Sequence, residues 1–159
     1  MKKRMVSLLL VLVMLLGLLP TAALAAPVGG GSGTAEDPYL IATAQELVDF
    51  RDAVNDSAKK STSKLCAKLT ANIDLGNEAW TPIGKMTNTY SDYVAFGGVF
   101  DGDGHTISGL KIDNSAQYQA LFGYVAKSAS ICNFSVYGSV ESSGDYTAGA
   151  VAYSEATLS

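Results

Sequence analysis

Apolar and polar residues alternate with a period of two through much of the chain, and one alternating segment occurs twice. Residues Ile107–Ile112 read apolar-x-x-apolar-x-apolar, and Ile131–Val136 repeat this pattern 24 positions later. The shorter segment Ile73–Leu75 has the same final alternation, and Leu69, Ile73 and Leu75 are predicted to face inward. Because period-two alternation is typical of a strand with one buried face, these segments are predicted to be strands and the chain to be mainly β.

A second repeat places glycine and valine two residues apart, and the pair recurs every 26 positions. The pairs are Gly97 with Val99, Gly123 with Val125, and Gly149 with Val151. A constant period of this size is typical of stacked repeats, each of which forms one coil of a solenoid. We therefore predict that the three valines stack inward on successive coils, as do Ile107 and Ile131.

One segment has helical rather than strand periodicity. Thr43 and Glu46 have the spacing of a capping box, in which each side chain bonds the backbone of the other residue. The apolar residues that follow at helical spacing are Leu47, Phe50 and Val54. The pattern predicts a helix over residues 44–55, placed where it caps the open apolar end of the first coil.

The N-terminal segment has the layout of a secretory signal peptide. Met1–Arg4 is basic, Met5–Leu19 is almost wholly apolar, and Ala23 and Ala25 are small residues at the positions that a signal peptidase reads. A membrane anchor is the alternative, but the apolar run is shorter than the roughly 20 residues that span a bilayer. We expect residues 1–25 to be removed, residues 26–36 to be a flexible glycine-rich leader, and residues 37–159 to form one domain with coils from about residue 64.

Removal of the signal peptide leaves an acidic chain. Three basic residues leave with it, so that 8 Lys and Arg face 15 Asp and Glu, a net charge of −7. Nucleic acid and anionic lipid would be repelled by such a chain and are excluded as partners. We expect a secreted protein, held at the cell surface by parts that lie outside this sequence.

The acidic segment Asp101–Gly104 is predicted to be a turn, with Asp101 and Asp103 as weak candidates for calcium binding. Paired Asp-Gly steps between strands are typical of a tight turn, whereas calcium binding by Asp101 and Asp103 would need further ligands that the sequence does not supply. His105 is the only histidine, and no catalytic triad or pair of separated carboxylates can be built around it. The sequence therefore predicts no catalytic residues and no cofactor.

The two cysteines, Cys66 and Cys132, lie in or beside predicted strands. Export permits a disulfide, but a bridge requires Cα atoms within about 7 Å, and two residues so far apart in sequence need not lie on neighbouring coils. Both the bridged and the free state stay open at this point. The residue spacings of zinc sites are absent.

Several segments resemble the GLUG-motif repeats of bacterial extracellular proteins. The resemblance covers Phe96–Leu110, Ala120–Val125 and Ile131–Phe134, and the upstream segments Gly33–Ile41 and Asn72–Leu75 are similar to the usual lead-in to such repeats. It implies an all-β fold, a right-handed parallel β-helix similar to that of pectate lyases, with one N-terminal capping helix.

The resemblance supplies no catalytic residues, and it weakens at two turns. Later repeats of the family tend to have a second glycine where this chain has Ala126 and Ala152. Such repeats occur in adhesin-like surface proteins and in non-catalytic parts of some peptidases. We therefore expect a non-enzymatic extracellular module that binds a host or matrix glycan or protein. The alternatives are a part of a polysaccharide-active or peptidase-associated β-helix protein whose catalytic residues lie elsewhere, and a spacer without a ligand.

The third repeat begins at Ala148 and has no partner segment after it. On this pattern the chain is expected to be a piece of a longer protein whose β-helix is incomplete at its C-terminus. The open coil end is expected to expose an apolar edge around Val136, Val140 and Val151. An exposed edge of this kind favours self-association.

Overall fold

The structure is a computed structural model that describes residues 29–58, 61–86 and 92–156. The predicted signal peptide, residues 1–25, lies outside the described residues. Within them the chain is mostly β, with one helix and twelve strands, as the alternation predicted. The one described helix is too short and too polar to be a membrane span.

Helix α1 spans Ala44–Asn55, the predicted residues, and the capping box is formed. The Glu46 backbone N–H donates to the Thr43 hydroxyl at 3.2 Å, and the Thr43 N–H donates to the Glu46 carboxylate at 3.0 Å. These bonds satisfy two of the N–H groups that a helix leaves open at its start. The predicted apolar face, Leu47, Phe50 and Val54, is fully buried.

The strands are short and follow one another closely along the chain. They are β1 (Tyr39–Ile41), β2 (Ser61–Ser63), β3 (Ala67–Leu69), β4 (Ile73–Asp74), β5 (Lys85–Met86), β6 (Tyr93–Phe96), β7 (Val99–Asp101), β8 (Thr106–Asn114), β9 (Phe122–Val125), β10 (Ser130–Cys132), β11 (Ser135–Ser142) and β12 (Val151–Ser154).

Three parallel sheets contain these strands. The first sheet has the order β1-β3-β7-β10, the second β4-β8-β11, and the third β2-β6-β9-β12, with β5 added antiparallel to β6. From β6 onward the chain visits the third, the first and the second sheet in turn and then repeats the sequence. Each strand therefore pairs with the strand that follows one full circuit later.

From β6 onward one circuit advances the chain by about 29 positions, where the sequence predicted spacings of 26 and 24. The preceding circuit, from β2, β3 and β4, advances it by 33 or 34. In the third sheet Phe96 pairs with Val125, and Val125 pairs with Ser154, each 29 positions apart. In the second sheet Ile107 pairs with Val136 at the same spacing. In the first sheet the spacing is 31, because the corner between β9 and β10 has four residues and the corner between β6 and β7 has two. The next corner is shorter by two residues, which restores 29.

The predicted stacking of the three valines is therefore wrong. Val99 lies in the first sheet, pairs with Ser130 and is 38% exposed, whereas Val125 lies in the third sheet and is 1% exposed. Val151 shares the third sheet with Val125 but pairs with Phe122. The three Gly-x-Val segments therefore have the same residue types but do not occupy equivalent positions in successive circuits.

The other repeat residues are separated in the same way. Ile107 lies fully buried in the second sheet, but Ile131 is half-buried in the first sheet opposite Phe100. The three repeat glycines have no common place either. Gly97 lies in a corner, Gly123 lies within β9, and Gly149 precedes β12.

Phenylalanine rings form the centre of the core. The ring of Phe50 on α1 lies 6.1 Å from those of Phe96 and Phe100, and Phe122 lies 5.3 and 5.1 Å from the same two rings. All four side chains are fully buried. The predicted inward set of Leu69, Ile73 and Leu75 belongs to the same core. Contacts between offset and edge-on rings add to the burial of their area, so Phe50 fixes α1 to the sheets.

Trp80 and Asn55 fix the long connection between β4 and β5 to the body of the protein. The buried Trp80 ring donates from Nε1 to the Leu121 carbonyl at 3.2 Å. The Asn55 side chain, at the end of α1, donates to the Pro82 carbonyl at 2.9 Å and accepts from the Gly84 N–H at 3.0 Å.

The leader differs from its prediction where it is described. Residues 29–36 were expected to be flexible, but the Gly30 carbonyl accepts from Leu40 N–H at 3.0 Å and the Gly33 carbonyl accepts from Cys66 N–H at 2.8 Å. Gly31 has a φ of 79°, and a Cβ atom there would overlap the Pro38 carbonyl oxygen. Glycine is required here because the backbone must approach β1 closely.

The last strands of the three sheets, β10, β11 and β12, lie together at one end of the protein. A cavity of about 410 Å³ opens there, lined by apolar residues that include Val125, Ile131, Phe134 and Val151. The three valines expected at an exposed edge, Val136, Val140 and Val151, are half-buried against the core.

Two aspartate substitutions distinguish the observed strand register from the register that a 26-residue spacing predicts. Val125→Asp is expected to lower the free energy of unfolding by more than about 3 kcal/mol, because it buries an unpaired charge. Val99→Asp is expected to cost no more than about 1 kcal/mol, since the side chain is partly in solvent. Urea unfolding of both variants measures the difference, and equal losses would contradict the register.

Candidate functional site: a tyrosine face on the third sheet

The outer side of the third sheet carries most of the chain's tyrosines. Alternation along β9 directs Val125 into the core and Tyr124 outward, and β12 places Tyr153 beside Tyr124 in register. Five of the eight tyrosines come together here, and we call them the tyrosine face. They are Tyr93, Tyr118, Tyr124, Tyr146 and Tyr153.

Each ring of the tyrosine face contacts others. Tyr124 lies 5.4 Å from both Tyr93 and Tyr153. Tyr118 and Tyr146 stack in parallel, with centroids 4.7 Å apart and an interplanar angle of 5°, and both meet Tyr153 edge-on. Such contacts hold the rings in fixed orientations. The face is therefore a rigid aromatic surface.

Tyr118 and Tyr146 stand on strained backbone. Their φ angles are 59° and 61°, in the left-handed region that bulky residues rarely adopt. The two residues are 28 positions apart and lie side by side, because Tyr118 N–H donates to the Asp145 carbonyl and Gln119 N–H donates to the Tyr146 carbonyl, both at 3.0 Å. Strain kept at two equivalent positions is typical of functional sites.

Exposure within the tyrosine face is uneven. Tyr118 and Tyr124 are buried, Tyr93 and Tyr153 are half-buried, and Tyr146 is 50% exposed. Tyr118 covers one side of the Tyr146 ring, and Tyr146 is still half-exposed. The buried tyrosines support the ones that solvent reaches.

A polar cleft of about 580 Å³ borders the tyrosine face at Met86, which packs against the tyrosines and also lines the cleft. Its polar lining includes Gln117, Gln119, Ser143 and Asp145. The Gln117 amide donates to the Asp145 carboxylate at 3.3 Å, and the Gln119 amide donates to the Gln117 carbonyl at 2.8 Å. These bonds orient amide and carboxylate groups next to the rings.

The Tyr124 hydroxyl donates to the Glu155 carboxylate at 2.6 Å. Burial raises the pKa of Tyr124 above its ordinary value of about 10, and the bond to Glu155 raises it further. The first cause acts because a buried phenolate loses its hydration, and the second because a negative neighbour disfavours a second negative charge. The phenol therefore stays protonated in the folded protein well into alkaline solution.

The predicted acidic turn is engaged in its own structure. The Asp101 carboxylate accepts from the Asp103 N–H and from the Asn133 amide, both at 3.0 Å, and Asp103 pairs with Lys68 at 3.1 Å. The bond from the Asp103 backbone, then that from Asn133, lowers the pKa of Asp101, and the positive charge of Lys68 adds to this. Nowhere in residues 29–58, 61–86 and 92–156 do three or more metal-binding side chains of the His, Cys, Asp and Glu types converge.

The two cysteines are free, and β7 lies between them. Cys66 precedes β3 on one side of β7, where it accepts from the Val99 N–H at 3.3 Å. Cys132 lies on the other side, in register with Asp101. Cys66 is buried. This arrangement excludes a disulfide between the two.

The tyrosine face was not predicted from the sequence. A signal for it was present, since Tyr124 and Tyr153 are 29 positions apart and Tyr118 and Tyr146 are separated by 28. That signal becomes visible only when aromatic positions are compared at the spacing of the circuit. The Gly-x-Val segments recur at 26 positions and so do not indicate it.

The raised pKa of Tyr124 predicts a loss of stability in alkaline solution. Above pH of about 10 the phenol ionises in the unfolded chain but stays protonated in the folded one, so the free energy of unfolding falls as pH rises. Tyr124→Phe should remove part of this slope, measured by urea unfolding between pH 8 and 11. Absorbance titration at 295 nm of Glu155→Gln should show earlier ionisation of one tyrosine. Unchanged slopes and titrations in both variants would contradict the assignment.

No family model matches the chain, and no solved structure matches it significantly. Two curated proteins are similar to it. One, named as a Gly-rich membrane protein of Evansella cellulosilytica, is 32% identical over 110 residues, which are 69% of this chain and 12% of that protein. The other, named halomucin, of Haloquadratum walsbyi, is 39% identical over 100 residues, 58% of this chain and 1% of that protein. The chain thus corresponds to a small part of each of these long relatives.

Proposed function

We propose that the chain is a non-enzymatic binding module of an extracellular surface protein, built as a right-handed parallel β-helix of GLUG-like repeats. The support for this architecture is the constant order in which the chain visits the three sheets and the 29-residue spacing of paired strands. In a β-helix each circuit is one coil, and the side chains of successive coils stack in rows.

The observation that carries the binding function is the tyrosine face. Tyrosine offers a large, rigid contact area with a polar tip, and it is enriched in recognition surfaces because little conformational freedom is lost when it binds. A purely structural spacer has no need for five tyrosines on one outer face, two of them on strained backbone. The strain is a cost that ligand binding would explain.

An export route and a surface location are part of this proposal. The basic and apolar N-terminal segment supports export. The relatives bear names that refer to a membrane and to a mucin-like protein, which agrees with a place at the cell surface.

An enzymatic role, as part of a polysaccharide-active β-helix, is the alternative. Hydrolysis by paired carboxylates needs two acids across a cleft at a defined distance. Asp101 and Asp103 share one turn and are engaged by backbone, Asn133 and Lys68, so the observed geometry does not favour this role. The polar cleft has one carboxylate in its described lining, Asp145.

A retention assay with a turnover readout tests the proposal. Residues 26–159, immobilised on beads, are incubated with mannan, β-glucan, polygalacturonate and gelatin, and both the bound material and the release of reducing ends or unsaturated products are measured. We expect at least one polymer to be retained without turnover. Turnover that disappears in Asp101→Ala or His105→Ala would establish the enzymatic alternative, and no retention at all would favour the spacer.

A further inference from the structure

We infer that the tyrosine face and the polar cleft beside it form one binding site for a neutral glycan, with the Tyr146 ring as the platform on which a sugar stacks. This inference rests on the proposed binding function and names its ligand class and its central residue.

The first argument is the availability of an aromatic ring in a fixed orientation. Tyr146 is half-exposed, and Tyr118 and Tyr153 hold its ring from one side and from the edge, at 4.7 and 5.7 Å. The C–H groups on one side of a sugar ring form an apolar patch, which packs well on the surface of an aromatic ring. A ring that is already held in place binds with little loss of freedom.

The second argument is the chemistry of the cleft. Sugar hydroxyls require several donors and acceptors within a short distance, and Gln117, Gln119, Ser143 and Asp145 supply amide, hydroxyl and carboxylate groups there. The volume of about 580 Å³ lies within the range of small-ligand sites. Because Met86 belongs to both the cleft and the tyrosine cluster, a glycan of a few residues can contact both.

The third argument is charge, which decides between neutral and acidic glycans. Asp145 lines the cleft, and Glu155 lies against Tyr124, whereas no lysine or arginine belongs to the described lining of the cleft. A polymer of uronic acids would bring further negative charge next to these carboxylates and would be repelled. A protein ligand would gain little from a cleft lined by small polar groups. Gelatin, a protein, is therefore included among the probes of the test below.

The backbone at Tyr146 supplies a substitution that removes the ring without harming the fold. Glycine adopts a φ of 61° without steric cost, so Tyr146→Gly should retain the fold while the platform is lost. Tyr146→Phe keeps the ring. Tyr137→Ala is the matched control, since Tyr137 is 64% exposed on β11 and lies outside the tyrosine face.

Affinity electrophoresis of residues 26–159 in gels that contain mannan, β-glucan, polygalacturonate or gelatin tests the inference. We expect a neutral polysaccharide to retard the parent chain, Tyr146→Phe and Tyr137→Ala. Tyr146→Gly should bind at least about tenfold more weakly. Circular dichroism and thermal unfolding of Tyr146→Gly confirm that its fold and stability are retained.

The other outcomes separate this inference from the proposed function. Retardation by a neutral polysaccharide that is unchanged in Tyr146→Gly would overturn the site but leave the binding function. Retardation by polygalacturonate or gelatin alone would overturn the ligand class and again leave the binding function. No retardation by any of the four probes would overturn both.

Discussion

Parallel pairing between strands one 29-residue circuit apart decides which side chains meet inside the protein and which meet outside. Because the side chains of a strand alternate between its two faces, this one spacing stacks Phe96 on Val125 within the core. The same spacing places Tyr124 beside Tyr153 on the opposite face. A shift of one residue would exchange the two sets, so the core and the tyrosine face depend on one register.

The corners absorb differences in length without disturbing that register. Two residues added between β9 and β10 are removed again between β10 and β11, so the first sheet has a spacing of 31 and the third keeps 29. The second sheet begins at 29 and continues at 28 after a register shift between Val136 and Gly138. The turn Asp101–Gly104 belongs to these corners, and its carboxylates bond the backbone, Asn133 and Lys68. The acidic residues thus shape the scaffold. The tyrosines on strained backbone have no such role in the core, which separates the structural positions from the proposed binding site.

Local signals in the sequence predicted local structure well. The capping box marked the start of α1, and alternation identified the β class and the inward residues Leu69, Ile73 and Leu75. The long-range register could not be obtained in this way. Inward positions need only be apolar or small, so Phe96, Val125 and Ser154 occupy one row with three different residue types. Of the Gly-x-Val segments that suggested a spacing of 26, one lies in the first sheet and the other two lie in the third sheet out of register with each other. The tyrosine face depends on the observed register, which these segments do not indicate.

Disulfide trapping at exposed and half-buried positions tests the 29-residue circuit most directly. In a chain with both native cysteines replaced by alanine, Thr106→Cys is combined either with Ser135→Cys, its partner in the second sheet, or with Ser130→Cys, its partner under the 24-residue spacing. Paired strands bring Cα atoms to about 5 Å, within the range of a disulfide. Mild oxidation should cross-link the first pair within one chain and leave the second pair reduced, as read by mass spectrometry after proteolysis. Cross-linking of Thr106→Cys with Ser130→Cys, and not with Ser135→Cys, would contradict the register on which the core and the tyrosine face depend.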